Sequence, residues 1–247
     1  MTSSEFYDET DAAHYDVNNA AVSTDEALKP MLEVLIDLAD GGPVLEFASG
    51  TGRVAVPLAH RGMAVTGIEL SPHMTAKLHE KLPPTTIPVV EGDMATATAA
   101  GAGSYALVVL VYNTISNLLT QGEQVECFRN AARHLRPGGL FVVELWVPQV
   151  ARMAPGMNVA PMTFDDGHLV LDSYDLATQR CVSHHYRPLG DGRATYGTGT
   201  FRYVWPSELD LMAELAGMRL QSRWADWDGS PFTSASPSHV SVWCKSA

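Results

Sequence analysis

The chain has 247 residues, 46% of them hydrophobic, enough for one sizeable core and short for two full domains, so a single α/β unit carrying an insertion is expected. Its 28 acidic against 16 basic side chains leave a formal charge of -12 with no run of Lys or Arg, which argues against nucleic acid and membrane surfaces as partners and favours a small neutral or cationic substrate. Cys127, Cys181 and Cys244 show no Cys-x-x-Cys spacing, arguing against a disulfide framework or a zinc cluster; the polar start Met1 to Asp16 and the lack of an apolar window near about 20 residues point to a cytoplasmic protein.

Ser23-Thr24-Asp25 opens a helix whose apolar positions Leu28, Leu32, Leu35 and Ala39 recur at helical spacing, and Gly41-Gly42-Pro43 ends it before a first strand, Val44 to Phe47. A helix through Val54, Val56, Leu58 and Ala59 stops at Arg61-Gly62, and Ala64 to Glu69 is the second strand. Ser71-Pro72 opens the next helix, the serine capping free amides and the proline losing nothing at the first helical position, with Met74, Leu78 and Leu82 as its stripe. Ile87 to Val90 reads as the third strand and Tyr105 to Tyr112 as a continuous apolar fourth. Phe128, Ala132 and Leu135 mark a helix, and Leu140 to Trp146 the fifth strand. Alternation of this kind is the signature of a mostly parallel, Rossmann-like sheet.

Beyond Pro148 the pattern shifts to short antiparallel strands at Leu169 to Asp175, Arg180 to Arg187 and Thr198 to Trp205, joined by turns at Thr178 and at Gly190-Asp191-Gly192. Ser207 begins a helix (Leu211, Met212, Leu215) that ends at Gly217, and the stretches 218 to 224 and 239 to 244 complete the main sheet as an antiparallel pair, with 225 to 238 as a rim loop. One domain is therefore expected over 1–247: a cap segment 1–22, a cofactor-binding core 23–148, a substrate-side antiparallel β insertion 149–206, and completion of the sheet by 207–247.

Chemistry concentrates in Glu46-Phe47-Ala48-Ser49-Gly50-Thr51-Gly52-Arg53, a strand end followed by closely spaced glycines and a helix start. Backbone free of side chains lets a ligand approach, and exposed amides favour an anionic group. The same residues satisfy a dinucleotide fingerprint ending in alanine, Gly50-Thr51-Gly52-Arg53-Val54-Ala55. Glu69, at the end of the second strand, can accept both hydroxyls of a ribose. In Glu91-Gly92-Asp93-Met94 an acidic side chain can accept an adenine amino group while Met94 packs the ring, a feature dinucleotide folds do not generally need.

With these segments and His134-Leu135-Arg136-Pro137-Gly138-Gly139-Leu140 in order over 44 to 146, the chain resembles a class I S-adenosylmethionine-dependent methyltransferase. That resemblance implies a seven-stranded sheet with a reversed last strand and S-adenosyl-L-methionine as cofactor. It also implies that Gly50 and Gly52 approach the methionine part, with Glu46 near its ammonium group. Glu69 would hold the ribose and Asp93 with Met94 the adenine, and Ala48, Ser49, Leu70 and Val111 belong to the cofactor-binding set. An N-terminal segment folds over the cofactor in many such enzymes; Phe6-Tyr7-Asp8 and His14-Tyr15-Asp16 are similar to it, which brings Tyr15 to the methionine carboxylate. The nearest likeness is to the small-molecule branch that includes amino-sugar N-methyltransferases. There a histidine often stands where this chain has Asn117, a departure that removes an obvious base.

Methyl transfer needs nucleophile, methyl and sulfur in line, and a base only for a poorly ionised acceptor. Asn113 and Asn117, after the fourth strand, are candidate orienters of substrate, Asn117 in a catalytic position. His184 and His185 must face opposite sides of one strand; His184 is the catalytic candidate, and His185, Tyr186, Tyr203 and Trp146 are candidate substrate contacts. Phe201, Tyr203 and Trp205 would form an aromatic face on the next strand. The end of the fourth strand carries Tyr112 and Asn113 rather than clustered carboxylates, and Asp165-Asp166 reads as a turn, so no metal is expected. The expected activity is methylation of a small, secondary-metabolite acceptor at oxygen or nitrogen by a monomer or homodimer. Two other readings remain at this point: an NAD(P)-dependent oxidoreductase, which leaves Glu91 to Met94 and Arg136 to Gly139 without a purpose, and a non-catalytic S-adenosylmethionine-binding protein.

Overall fold

A computed structural model describes residues 7–148, 150, 153–165 and 167–246; Phe6 and Asp166, named above, lie outside the described residues. The near-continuous apolar runs become the centre of a sheet covered on both faces: β1 (Val44–Phe47) and β4 (Tyr105–Leu110) are buried at every position. Beside them run β2 (Val65–Glu69), β3 (Val89–Glu91) and β5 (Leu135–Trp146), and the seven-stranded sheet has the order β10-β11-β5-β4-β1-β2-β3. β11 (Ser238–Lys245) pairs antiparallel with both β5 and β10 (Met218–Trp224), so it is the one reversed strand and gives the architecture expected from the sequence. Strand order reverses between β1 and β4, the switch point at whose carboxyl edge α/β sheets open a crevice.

Two apolar layers hold the helices on. On one face α5 (Gln121–His134) and α6 (Pro206–Leu215) bury Phe128, Leu209 and Met212 against Phe47, Phe141 and Trp243. The Phe128 ring lies edge-on to Phe141 at 5.0 Å and to Trp243 at 5.2 Å, a geometry that aligns positive ring edges with negative faces. On the other face α2 (Asp25–Ala39), α3 (Ala55–His60) and α4 (Pro72–Lys81) contribute Leu32, Leu35, Leu58 and Leu78. Thr24 and Ser71 cap α2 and α4 as their positions before the apolar stripes require, accepting from the amides of Ala27 and Met74. Ahead of them α1 (Glu9–Asn18), capped reciprocally by Asp8 and Asp11, forms from the N-terminal segment.

Several boundaries differ from the sequence reading. The third strand is Val89–Glu91, because Ile87 is wholly buried below it while Pro88 offers only its carbonyl, to the Gly67 amide. The fourth ends at Leu110: Tyr112 and Asn113 take left-handed φ of 57° and 61°, which turns the chain. The fifth begins at Leu135, Arg136 to Gly139 being absorbed as an irregularity between the pairs Tyr105–Leu135 and Leu107–Leu140. The insertion is a four-stranded meander, β6 (Val159–Asp165), β7 (His168–Asp175), β8 (Arg180–Pro188) and β9 (Ala194–Arg202). β6 escaped the sequence reading because Pro161 interrupts its pattern; as an edge strand with a register shift at that residue, it tolerates the missing donor. β9 stops at Arg202, so Phe201, Tyr203 and Trp205 do not share a strand face: Tyr203 packs against Tyr174 at 5.7 Å and Trp205 is the N-cap of α6.

Candidate functional site

At the carboxyl edge of β1 to β4 lies a cleft with about 590 Å³ of empty space, counting space open to solvent. Its floor is Ala48 and Gly50 from the turn after β1, and one wall is Ile68, Glu69 and Leu70 with Met74 of α4. A second wall comes from Gly92, Asp93 and Met94 after β3, and a third from Thr114, Asn117 and Leu118. Tyr7 and Tyr15 close it from the N-terminal side.

Local chemistry explains each placement. Ala48 and Gly50 both sit at positive φ, 51° and 55°, which turns the chain at the floor of the cleft, and a Cβ on Gly50 would meet nothing nearer than Met74 Cε at 3.7 Å. Gly52 has a different reason to be glycine: a Cβ there would stand 2.8 Å from Val56 and 3.0 Å from Leu78, so it is required for packing α3 and α4 rather than for ligand approach. Ser49 is likewise buried behind the turn, against Gly67, and Val111 packs in the core of the sheet.

Glu69 accepts the amides of Gly50 at 2.8 Å and Ser71 at 2.9 Å, one on each carboxylate oxygen, which fixes the side chain and leaves further lone pairs for hydroxyls. Burial pushes its carboxyl up, and those amide bonds work in the opposite direction. Glu46 is wholly desolvated; burial pushes its carboxyl up to about 8 against the opposing pull of the Arg53 charge, and its Oε2 is buried without a hydrogen-bond partner. That orphaned acceptor beside the glycine turn fits a cationic group, as the carboxylate acceptors Glu69 and Asp93 fit the hydroxyls and amino group of a nucleoside. Asp93 itself spends Oδ1 on the Ala95 amide at 2.7 Å. Burial also raises the phenols of Tyr7 and Tyr15, the latter to about 12, so both stay neutral hydroxyls at the cleft.

α1 is held over this site by charge and hydrogen bonds. Asp16 accepts from Thr51 Oγ1 at 2.5 Å and pairs with Lys81 at 2.6 Å, while Lys81 also donates to the Thr51 carbonyl at 2.8 Å. Ser71 donates to the Tyr7 carbonyl at 2.9 Å, and the Arg53 guanidinium lies 4.7 Å over the Tyr112 ring, whose hydroxyl donates to Asn19.

The structure thus brings Tyr15, Ala48, Gly50, Glu69, Leu70, Asp93, Met94 and Asn117 to one cleft. Glu46 is buried at the end of β1, beside the glycine turn, without lining the cleft, and the other candidates lie elsewhere. Asn113 spends Oδ1 on the Trp146 amide at 2.6 Å, tying the end of β4 to that of β5, and Trp146 is 64% exposed. His184 is held from both ring nitrogens, by Ser173 at 2.9 Å and Tyr196 at 2.7 Å; Tyr186 lies against the same Tyr196 at 5.0 Å. His185 stacks on His168, as the opposite faces of one strand require. Tyr7, Met74, Thr114 and Leu118 were not singled out as site residues. Met74 has the apolar spacing of a core stripe, but at the first turn of its helix that stripe meets the cleft, and Leu118, an apolar residue closing a polar turn, was the available signal.

A family model described as a methyltransferase domain matches residues 44–139, the stretch carrying these walls. The chain is 36% identical to the CcbJ methyltransferase from Streptomyces caelestis, whose structure superposes with a TM-score of 0.77 over 89% of each chain. It is 27% identical over 242 residues, 96% of both chains, to a cypemycin N-terminal methyltransferase from a Streptomyces species. The sugar N-methyltransferase KedS8 from Streptoalloteichus shares the fold with a TM-score of 0.65 at 20% identity, covering 94% of this chain and 93% of that one. Fold, cleft and relatives agree, and the nicotinamide reading loses its ground: this chain belongs to the S-adenosylmethionine-dependent methyltransferases.

Proposed function

We propose that this enzyme methylates the amine nitrogen of a small, secondary-metabolite acceptor, with the cofactor held in the cleft between α1 and the carboxyl edge of the sheet. The observation that carries the assignment is the convergence of Glu69, Asp93 and Met94, from three separate strand ends, on one cleft with the glycine turn. Glu69 would take the ribose hydroxyls, Asp93 the adenine amino group with Met94 against the ring, and Glu46 the ammonium group through its unpartnered oxygen, Tyr15 lying at the carboxylate. When bound, the cofactor supplies an electrophilic methyl on a sulfonium, and this chain's part is to align the acceptor, exclude water and stabilise neither ion more than alignment needs.

Nitrogen is favoured because a neutral amine attacks without prior proton removal, and the cleft side chains Thr114 and Asn117 are orienters rather than bases. The relative matched over 96% of both chains is named an N-terminal methyltransferase, which supports the same choice. His184, engaged at both nitrogens within the four-stranded sheet, is assigned to the architecture of that sheet, and the proton leaves the methylated amine for solvent. The net charge of -12 supports a cationic or neutral acceptor over nucleic acid, and the three unpaired thiols support a reducing compartment such as the cytoplasm. Among the described residues no helix is long and apolar enough to cross a membrane.

The test is calorimetric titration with S-adenosylmethionine, S-adenosylhomocysteine and NAD, followed by transfer of labelled methyl to a panel of amino sugars, peptide N-termini and phenols. Binding of both sulfur nucleosides and labelling confined to amines support the proposal; labelling confined to phenols would overturn the nitrogen assignment, and binding of NAD alone the cofactor site.

A further inference from the structure

A buried amide links the inserted sheet to the wall of the cofactor cleft. Gln124, on the first turns of α5, is wholly buried, and the two protons of its Nε2 are shared among three carbonyls, each at 3.2 Å: Ile115 and Leu118, in and just after the 3-10 turn that walls the cleft, and Arg202, the last residue of β9. Its Oε1 accepts from the Arg202 guanidinium. Arg202 in turn is 4% exposed and donates to Gln179 in the β7–β8 turn at 2.7 Å and to Glu208 of α6 at 2.8 Å. Gln179 and Gln121 also donate to Glu208, at 2.9 Å and 2.7 Å. Burial works against the Glu208 charge, yet these bonds outweigh it and hold the carboxyl below its usual range.

Such a network has few alternative arrangements, because every buried donor displaced leaves a carbonyl or a guanidinium unpaired in a low-dielectric interior. An apolar residue at 124 would fill the space as well; an amide that takes carbonyls from both the cleft wall and the insertion does something packing does not. It locks the register of Leu118 and Asn117 to the seating of β9.

We propose that Gln124 and Arg202 are positioning residues that couple the four-stranded sheet to the cofactor cleft, so that cofactor affinity depends on the insertion although no described residue of that sheet lines the cleft. This rests on the cofactor assignment above. By linkage the coupling is reciprocal: an acceptor that seats against the insertion tightens the cofactor, and the cofactor orders the insertion.

The experiment titrates S-adenosylhomocysteine into the full chain and three variants, recording thermal midpoint and Kd together. Gln124→Glu keeps the Arg202 guanidinium pair and loses the donor to the Ile115, Leu118 and Arg202 carbonyls. Arg202→Met removes the link from the insertion side, and Leu35→Ala opens a cavity in the opposite layer. Gln124→Glu and Arg202→Met are expected to weaken binding about tenfold, within the usual span of coupling energies, while Leu35→Ala lowers the midpoint at unchanged Kd. Hydrogen exchange on the wild-type chain covers the case in which a variant does not fold: the nucleoside is expected to slow the Tyr203 amide, which bonds the Gln179 carbonyl at 3.0 Å outside the cleft. Wild-type Kd in folded Gln124→Glu and Arg202→Met, or protection that stops at the cleft walls, overturns the coupling and leaves the cofactor site standing. A wild-type chain that does not bind the nucleoside at all removes both.

Discussion

Glu46 shows how one buried carboxyl can report on the cofactor. Because burial lifts it from 4.5 to about 8, the folded chain keeps a proton through that window that the unfolded chain has already lost. The stability this group contributes is therefore full below 4.5 and drains away as pH rises toward 8, the sign expected for a raised carboxyl. Glu46→Gln is expected to flatten the fall of the thermal midpoint over that range, and an unchanged slope would place the effect on another group. Near pH 7 the cofactor's ammonium would draw the proton off, so titrating S-adenosylhomocysteine in buffers of different ionisation enthalpy should register proton release; equal heats in all buffers count against the pairing. Asp93→Ala tests the other end of the ligand: loss of a hydrogen bond to a charged acceptor should weaken the nucleoside about tenfold or somewhat more. Both residues were legible in the sequence, as the acidic positions that begin and end the strand-loop motifs. Their neighbours Ser49, Gly52 and Val111 were legible only as members of a motif, and which side of the turn each faces depends on the packing of Val56, Leu78 and Gly67 around them.

At the scale of elements, α1 is the least embedded wall of the cleft: its only wholly buried residue is Ala12, and it is fixed through Asp16, Thr51 and Lys81. Half-exposed ion pairs of this kind add about 0–1 kcal/mol to global stability. Asp16→Ala is therefore expected to leave the thermal midpoint nearly unchanged while speeding release of S-adenosylhomocysteine several-fold in a stopped-flow chase. Raised salt should reproduce part of the acceleration in the wild type. Release at the wild-type rate would mean that the cofactor leaves by another side. The core elements were readable because burial on both faces imposes continuous apolar runs on β1 and β4 and a clear stripe on α2. The inserted strands are half-exposed, contain Pro161 and several glycines and threonines, and carry little periodicity, so one was missed and another was shifted toward Trp205. The Gln124–Arg202 pair, separated by 78 residues, leaves no local trace in the sequence at all.

Across the whole molecule the charge of -12 distinguishes two ligands that are otherwise nearly the same shape. A sulfonium carries a positive charge that the corresponding thioether lacks, so long-range attraction should speed association of S-adenosylmethionine more than of S-adenosylhomocysteine. The difference in association rates is expected to shrink as ionic strength rises from roughly 0.01 M to 0.15 M, where the screening length falls from about 30 Å to about 8 Å. Parallel salt dependences for the two would mean that local contacts, and not the field of the protein, set the rate.

The position of β11 bears on how the chain is made. Ser238–Lys245, which follows β5 in the chain only after the whole inserted sheet, α6 and β10, enters the sheet between β5 and β10 and contributes Trp243 to the core, so the edge of β5 has no partner until that later segment has left the ribosome. Until then that open edge and the uncovered Phe128–Phe141 layer are sticky surfaces, which makes the interval between synthesis of β5 and of β11 the period when a nascent chain of this protein most needs shielding from its neighbours.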